Sequence, residues 1–243
     1  MRLHRFYIQT SITENSFDIS DRELVHQWRS VFRYNVGSQV ILFDGSGMDF
    51  LCIISSLRNL GATVGVLQKS KSKYTPTREV WLCVGIIKKD NFEMVVEKAT
   101  ELGVTHIVPI LCERTEKKNL NMGRLQKIAV EASEQSGRGD ITQIHQVATL
   151  SEVLQHNILL PDNKICLHTK FNSDESGNFQ FSISNFQKEG GVRSIAVFIG
   201  PEGGFSDAEI KQFTQQNIPV LSLGLQTLRT ETAAVAVASL LLL

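Results

Sequence analysis

Two glycine-bearing segments in the C-terminal part of the chain carry the residue types best suited to ligand binding. The first is IGPEGGFSDAEI (Ile199–Ile210), in which an apolar run ends at a GPEGG turn and a helix start follows. The second is LSLGLQTLRTETAA (Leu221–Ala234), which brings a glycine, an arginine and a glutamate close together. Because glycine lets backbone N–H and C=O groups approach a ligand closely, both segments predict a site read largely by main-chain groups.

Neither segment matches a familiar phosphate-binding pattern. The first lacks the GK[ST] of a P-loop, and it is not the GxGxxG of a dinucleotide-binding turn. Its plainer interpretation is a tight connection between a strand and a helix. Taken alone, Arg229 is typical of a surface salt bridge, and Glu231 of a first-turn acid favoured by the helix dipole.

The elements around these segments alternate between strand and helix. Apolar runs predict strands at Glu79–Ile87, His106–Cys112, Lys164–His168, Ser194–Ile199 and Val220–Leu223. Helical periodicity predicts helices at Asn91–Leu102, Leu125–Ser136, from Ser206 onward and at Glu231–Leu243, with Thr230 as the N-cap of the last. Such alternation predicts an α/β fold with a mainly parallel sheet, which binds ligands at the carboxyl ends of its strands.

The first part of the chain has a different pattern. Short β-type runs occur at Arg5–Ile8, Gln39–Phe43, Phe50–Ser55 and Ala62–Leu67, with one helix predicted at Asp21–Phe32 and a turn at Asp44-Gly45. These runs predict a small β-barrel or β-rich module. The polar segment Lys69–Thr77 is predicted to be a linker.

Length and composition exclude several classes of protein. The chain has 243 residues, and its 25 Lys+Arg balance 25 Asp+Glu. With 42% apolar and 21% charged residues, its composition excludes a disordered or collagen-like protein, and its length allows one or two domains. No secretory signal or membrane-length apolar run is present, so we expect a cytoplasmic protein. The four cysteines are widely separated and the histidines form no ligand pattern, which predicts buried reduced thiols and no metal site.

At these residues the sequence resembles the RsmE-type 16S ribosomal RNA (uracil-N3) methyltransferases of the SPOUT superfamily. The resemblance rests on KATELGVTHIVPILCERT (98–115), EASEQSGR (131–138), IGPEGGFSDAEI (199–210) and LGLQTLRTETAA (223–234), with weaker matches at HRFY (4–7), VFR (31–33) and LFDG (42–45). Two departures are Ile86-Ile87-Lys88, where the family often has leucine-proline-lysine, and Gln226-Thr227, where an arginine and an aliphatic residue are common.

The resemblance implies an α/β fold with two domains. Residues 1–74 would form a PUA-like RNA-binding β-barrel, and residues 75–243 a SPOUT-type parallel sheet with a trefoil knot. It further implies a homodimer that transfers a methyl group from S-adenosylmethionine (SAM) to uridine N3 in 16S rRNA within the 30S particle. Carried over position by position, the SAM-binding residues would be Leu167, His168, Ile199, Gly200, Pro201, Glu202, Gly203, Gly204, Leu223, Gly224, Leu228, Arg229 and Thr230.

The implied reaction needs a group that removes or stabilises the loss of the N3 proton. Arg229 is expected to stabilise the developing imide anion or to orient the base carbonyls, and Glu202 and Glu231 are the other expected catalytic residues. The net charge of two regions indicates which parts of the chain face RNA. Residues 1–75 carry a net charge of +3, and residues 114–127 carry +4. The expected RNA-binding residues are Arg2, Arg5, Arg22, Arg29, Arg33, Lys69, Lys71, Lys73, Arg114, Lys117, Lys118, Arg124 and Arg138.

Three alternatives stay open at this point. A related SPOUT enzyme could modify tRNA or another rRNA base with the same cofactor. A non-catalytic RNA-binding assembly factor could keep the fold without SAM. A nucleotide-phosphate binder could use Gly200–Gly204 as an anion nest, although no cation flanks that segment in the sequence.

Overall fold

Alternating buried and exposed side chains organise the first part of the chain into a mixed five-stranded sheet. The computed structural model describes residues 3–116, 119–155, 159–168, 177–178 and 193–243. The sheet has the order β1-β3-β4-β5-β2, with β1 parallel to β3 and the other pairs antiparallel. Its strands are β1 (Arg5–Tyr7), β2 (Ser16–Ile19), β3 (Gln39–Phe43), β4 (Met48–Arg58) and β5 (Gly61–Lys71).

Two sequence predictions for this region are corrected. The helix predicted at Asp21–Phe32 is a short α1 (Arg22–His26), capped by the Asp21 carboxylate, which passes into a π-helical turn at Gln27–Val31. The predicted linker Lys69–Thr77 begins inside β5, because this strand continues to Lys71 in its pairing with β4. Strand β2 was not predicted, since its SFDI sequence presents a single fully buried side chain, Ile19.

A segment distant in sequence completes this first unit. Contacts group Met1–Thr75 with Ser133–Ile141, and Pro76–Ala132 with Thr142–Leu243. Within the first unit, Glu134 Oε1 accepts a 2.8 Å hydrogen bond from the Tyr7 N–H. The Gly47 N–H donates to the Gly139 carbonyl at 3.0 Å. Glu134 of the EASEQSGR motif therefore has a structural partner within this unit.

Two arginines expected to face RNA are instead held inside the first unit. Arg138 is 2% exposed and forms a 2.6 Å ion pair with Asp140. Arg5 forms a 2.6 Å ion pair with Asp49, and its guanidinium donates to the Arg138 carbonyl and lies over the Phe43 ring. These two cations are therefore paired within the protein and largely removed from solvent, and their contact with RNA stays a prediction.

The described residues of the second unit form an eight-stranded parallel sheet, as the strand and helix alternation predicted. The pairing order is β11-β13-β10-β12-β6-β7-β8, and β9 pairs with β7. Its strands are β6 (Glu79–Gly85), β7 (His106–Leu111), β8 (Gln143–Ile144), β9 (Ala148–Thr149), β10 (Lys164–Leu167), β11 (Gly177–Asn178), β12 (Ser194–Ile199) and β13 (Val220–Ser222).

The helices predicted for this unit are present, and a further short helix at Leu150–Leu154 was not predicted. They are α2 (Lys89–Leu102), α3 (Met122–Ser136), α4 (Leu150–Leu154), α5 (Asp207–Gln215) and α6 (Thr230–Leu242). Gly103 ends α2 in the left-handed conformation, with φ of 106°. Ser206 and Glu209 form the predicted capping box of α5. The apolar helix α6 packs against α2, β6 and β12, so the end of the chain returns to the start of this unit.

The described residues contain neither a membrane-spanning helix nor a metal cluster. No helix among them has the length and hydropathy needed to cross a membrane. In the same residues, no group of three or more His, Cys, Asp and Glu side chains is arranged to hold a metal ion. The four cysteines are buried free thiols.

Candidate functional site

Three neighbouring strands of the second unit end at one edge of the sheet. Strand β10 lies between β13 and β12 and is parallel to both. Its last residue, Leu167, is in register with Ile199 and with Leu221, and the His168 N–H donates to the Leu221 carbonyl at 2.9 Å. The segments after the three strands therefore emerge side by side, where parallel α/β sheets bind their ligands.

The GPEGG segment after β12 depends on close backbone packing. A Cβ atom on Gly85, at the end of β6, would lie 2.4 Å from the Pro201 nitrogen. A Cβ atom on Gly200 would lie 3.0 Å from the Gly204 carbonyl carbon, and Gly204 itself has a φ of +69°. Glycine is required at these positions because a side chain would collide with backbone or force a strained conformation.

The segment after β13 is joined to the GPEGG segment by one hydrogen bond. Thr230 was predicted to cap α6, but Arg229 occupies the cap position without a side-chain capping bond. Thr230 is instead the first residue of the helix, and its buried hydroxyl donates a 2.9 Å hydrogen bond to the Gly200 carbonyl. This bond fixes the start of α6 against the end of β12.

Two further contacts hold the GPEGG segment in place. The Arg114 guanidinium donates to the carbonyls of Gly203 and Phe205, at 3.1 and 3.2 Å. The Lys88 N–H donates to Glu202 Oε1 at 3.1 Å. Arg114 was expected to face RNA, and the structure adds a role in shaping this segment. Glu202 was expected to be catalytic, and one of its oxygens is already engaged by the backbone.

Glu231 has unusual surroundings for an acidic residue. It lies in the first turn of α6 and is 6% exposed. Its Oε2 atom is closed off from solvent and has no hydrogen-bond partner within the described residues. A buried carboxylate oxygen without a partner is costly, so this group needs a compensating donor or positive charge.

These segments enclose a cavity of about 500 Å³, a volume typical of small-molecule sites. All the residues expected to bind SAM line it except Gly224. The expected catalytic residues Arg229, Glu202 and Glu231 also line it. Sequence reasoning missed further lining residues, six of them within the two glycine-bearing segments and two outside: Phe205, Asp207, Ser222, Gln226, Thr227 and Ala233, and Lys88 and Asn91. Lys88 and Asn91 lie where β6 passes into α2.

The remaining residues expected to bind RNA are distributed as follows. Six are exposed in the first unit: Arg22, Arg29, Arg33, Lys69, Lys71 and Lys73. In the second unit, Arg124 is exposed and lies 3.5 Å from Glu93, while Arg114 lines the cavity. Arg2, Lys117 and Lys118 lie outside the described residues.

Residues 73–242 match the family model described as an RNA methyltransferase domain. The chain belongs to the RNA methyltransferase family. It is 31% identical over 237 residues to a protein named ribosomal RNA small subunit methyltransferase E from Rickettsia conorii, covering 97% of this chain and 93% of that one. A protein of the same name from Bacillus subtilis is 29% identical, over 90% of this chain and 86% of that one.

A solved structure shares the fold of this RNA methyltransferase. A methyltransferase from Legionella pneumophila, solved with bound SAM, superposes with a TM-score of 0.85 at 28% identity. The match covers 99% of this chain and 97% of that one. The resemblance noted in the sequence is therefore confirmed at the level of the family, the enzyme class and the parallel α/β sheet.

Proposed function

We propose that this RNA methyltransferase transfers a methyl group from SAM to N3 of one uridine in small-subunit ribosomal RNA, acting on the 30S particle. The observation that carries the proposal is the cavity at the ends of β10, β12 and β13, where the GPEGG and LRTETA segments meet through the Thr230–Gly200 bond. The names of the Rickettsia and Bacillus relatives support a small-subunit rRNA substrate.

The residues around the cavity fit SAM. Gly200, Gly203 and Gly204 present backbone with no side chain in the way, which suits a ligand recognised by main-chain groups. The unpartnered Glu231 oxygen suits a cationic ligand. When bound, SAM supplies a methyl group already activated on a sulfonium. The Legionella methyltransferase, solved with SAM, supports the same cofactor here.

The chain's own residues then have to bind and orient the acceptor base. Uracil N3 carries a proton and lies on the Watson–Crick edge, so the base must be unpaired or flipped out. We assign Arg229, exposed at the rim of the cavity, to the base carbonyls, where its charge favours the loss of the N3 proton. Glu202 is less suited to act as a base, because one of its oxygens accepts from the Lys88 backbone.

The finer features of the fold belong to the same proposal. We assign residues 1–74 to a PUA-like RNA-binding domain and residues 75–243 to a SPOUT-type domain with a trefoil knot. The packing of α6 on α2 and the Thr230–Gly200 bond support a threaded C-terminal segment. A homodimer is supported by the apolar end of α6, where Leu240 and Leu243 are exposed. A cytoplasmic location stays a prediction.

Methyl mapping tests the function directly. The protein is incubated with labelled SAM and either 30S particles or naked 16S rRNA from cells that lack the modification. We expect label at a single uridine, blocking the Watson–Crick edge and stopping reverse transcription there. An Arg229→Ala variant should lose most turnover, and its SAM affinity, measured separately, shows how far Arg229 also contributes to cofactor binding. Label on tRNA alone, or on another base, would reject the proposed substrate, and no label on any RNA would reject the proposed activity.

A further inference from the structure

Glu231 differs from the other acidic residues around the cavity. Glu202 and Asp207 are exposed, so water can solvate their carboxylates. Glu231 is 6% exposed, and its Oε2 has no hydrogen-bond partner among the residues that the structure describes. No ion pair with a described cation is formed by Glu231, and the guanidinium of Arg114, which also lines the cavity, donates to two carbonyls.

The position of Glu231 on α6 keeps its charge close to the cavity. It is the second residue of a helix of 13 residues, and the helix start forms part of the cavity lining. The unpaired N–H groups of a first helical turn favour a negative charge at this position. Thr230, one residue earlier, is tied to Gly200, so the turn carrying Glu231 has a fixed place beside the GPEGG segment.

We propose that Glu231 binds a positive charge of SAM and is a cofactor-binding residue of this enzyme. The inference rests on the proposed function, because it takes SAM as the ligand of the cavity. A desolvated carboxylate oxygen gains most from a full positive charge, and a neutral donor compensates it less. SAM offers such a charge at its sulfonium and at its α-ammonium group, and both are compatible with a single acidic partner.

This assignment changes the role expected for Glu231 from the sequence. A general base for uracil N3 would have to meet the RNA base, whereas a charge partner of SAM acts before RNA binds. The two roles differ in a measurable way: loss of a base lowers turnover and leaves SAM affinity unchanged. Loss of a charge partner lowers SAM affinity in the absence of RNA.

Calorimetry on the full chain with three ligands tests the proposal. The ligands are SAM, S-adenosylhomocysteine, which lacks the sulfonium charge, and 5′-methylthioadenosine, which lacks both charges. For Glu231→Gln we expect SAM to bind roughly 10- to 100-fold more weakly. If the sulfonium is recognised, S-adenosylhomocysteine affinity stays at the wild-type value. If the ammonium is recognised, both weaken and methylthioadenosine does not.

A matched control and a stability measurement complete the experiment. Glu101→Gln removes an exposed carboxylate of α2 that pairs with Lys98, and should leave all three affinities unchanged. Ligand-free Glu231→Gln should melt at or above the wild-type temperature, because an unpaired buried charge is removed. Unchanged SAM affinity in Glu231→Gln, or equal weakening of all three ligands, would overturn the proposal.

Wild-type protein provides an answer even if the variant does not fold. If wild-type protein binds methylthioadenosine as tightly as SAM, the site does not read a positive charge and the proposal on Glu231 fails. If it binds none of the three ligands, the proposed function itself fails. The two failures are therefore distinguished by measurements on unmodified protein.

Discussion

The Thr230 hydroxyl donates a 2.9 Å hydrogen bond to the Gly200 carbonyl, and this contact joins two segments that lie 30 residues apart in sequence. It brings the first turn of α6 against the end of β12, so that the GPEGG and LRTETA segments form one wall of the cavity. Apart from Leu167 and His168, the residues expected to bind SAM belong to the two segments that this bond joins.

Removing the Thr230–Gly200 hydrogen bond should weaken the binding of SAM and lower the stability of the fold. Thr230→Val keeps the shape of the side chain and leaves the buried Gly200 carbonyl without its donor, which costs about 1–3 kcal/mol. We expect weaker SAM binding and a lower melting temperature, measured by calorimetry and thermal unfolding. Thr230→Ser retains the hydroxyl and should behave nearly as the wild type. Equal losses in both variants would show that packing, and not the hydrogen bond, matters at this position.

Gly85 should not tolerate any side chain. Gly85→Ala places a methyl group 2.4 Å from the Pro201 nitrogen, so strand β6 or the GPEGG segment must move, at a cost of roughly 1–3 kcal/mol. We expect loss of SAM affinity along with stability. Gly123→Ala, in the first turn of α3, is the matched control because its Cβ meets Asn121 Oδ1 at an ordinary 3.6 Å. A Gly85→Ala protein with wild-type affinity would contradict this view of the turn.

A half-buried histidine pair should make the second unit sensitive to acid. His106 Nδ1 lies 3.1 Å from His145 Nε2, and the His106 ring stacks on Trp81. Burial, reinforced by the neighbouring His145, lowers the pKa of His106 from 6.5 to about 4, although Glu79 opposes the shift. Burial also lowers the pKa of His145.

The sign of the pH effect follows from these shifts. The unfolded chain takes up protons below pH 6.5, while the folded His106 stays neutral until about pH 4. Stability should therefore be full above pH 6.5 and fall towards pH 4, by on the order of 1–3 kcal/mol. Urea unfolding across this range measures it. His106→Phe keeps an aromatic ring on Trp81 and should flatten the profile, whereas an unchanged slope would assign the effect elsewhere.

Arg138 should contribute to the free energy of unfolding of the protein. Replacing it by methionine leaves Asp140 without the partner that lies 2.6 Å away, and breaking such a buried pair costs roughly 3 kcal/mol. We expect a lower free energy of unfolding, measured in urea. Arg22→Ala, at an exposed arginine of the same unit, is the control and should leave stability unchanged. If Arg138→Met folds as stably as the wild type and binds RNA more weakly, the buried-pair interpretation is wrong.

The exposed lysines of the first unit should contribute to RNA binding and not to SAM binding. Lys69 and Lys71 lie on β5, and Lys73 follows shortly after the strand. Replacing all three by glutamine should weaken RNA binding and reduce its dependence on salt, by roughly 0.7–0.9 in slope for each phosphate that the variant no longer neutralises. SAM affinity should not change, because none of the three lines the cavity. An unaltered salt slope would remove this cluster from the RNA-binding surface.

Local signals in the sequence determined most of the elements of this protein. The Ser206–Glu209 capping box, the left-handed Gly103 and the β12 run Ser194–Ile199 were predicted and are present. They could be read because each depends on residues within a few positions of one another. The two glycine-bearing segments were identified for the same reason, since their backbone requirements are local.

Tertiary structure alone decided the partners of the polar side chains. Nothing near Thr230 in sequence indicates that its hydroxyl reaches Gly200, and nothing near Arg138 indicates that it is buried. Arg114 contributes to the cavity because parallel pairing brings distant segments to one edge of the sheet. By its sequence position Glu231 is an ordinary first-turn acid, and only the tertiary structure shows that its side chain is buried. Burial and long-range pairing depend on the whole chain, so spacing along the sequence cannot supply them.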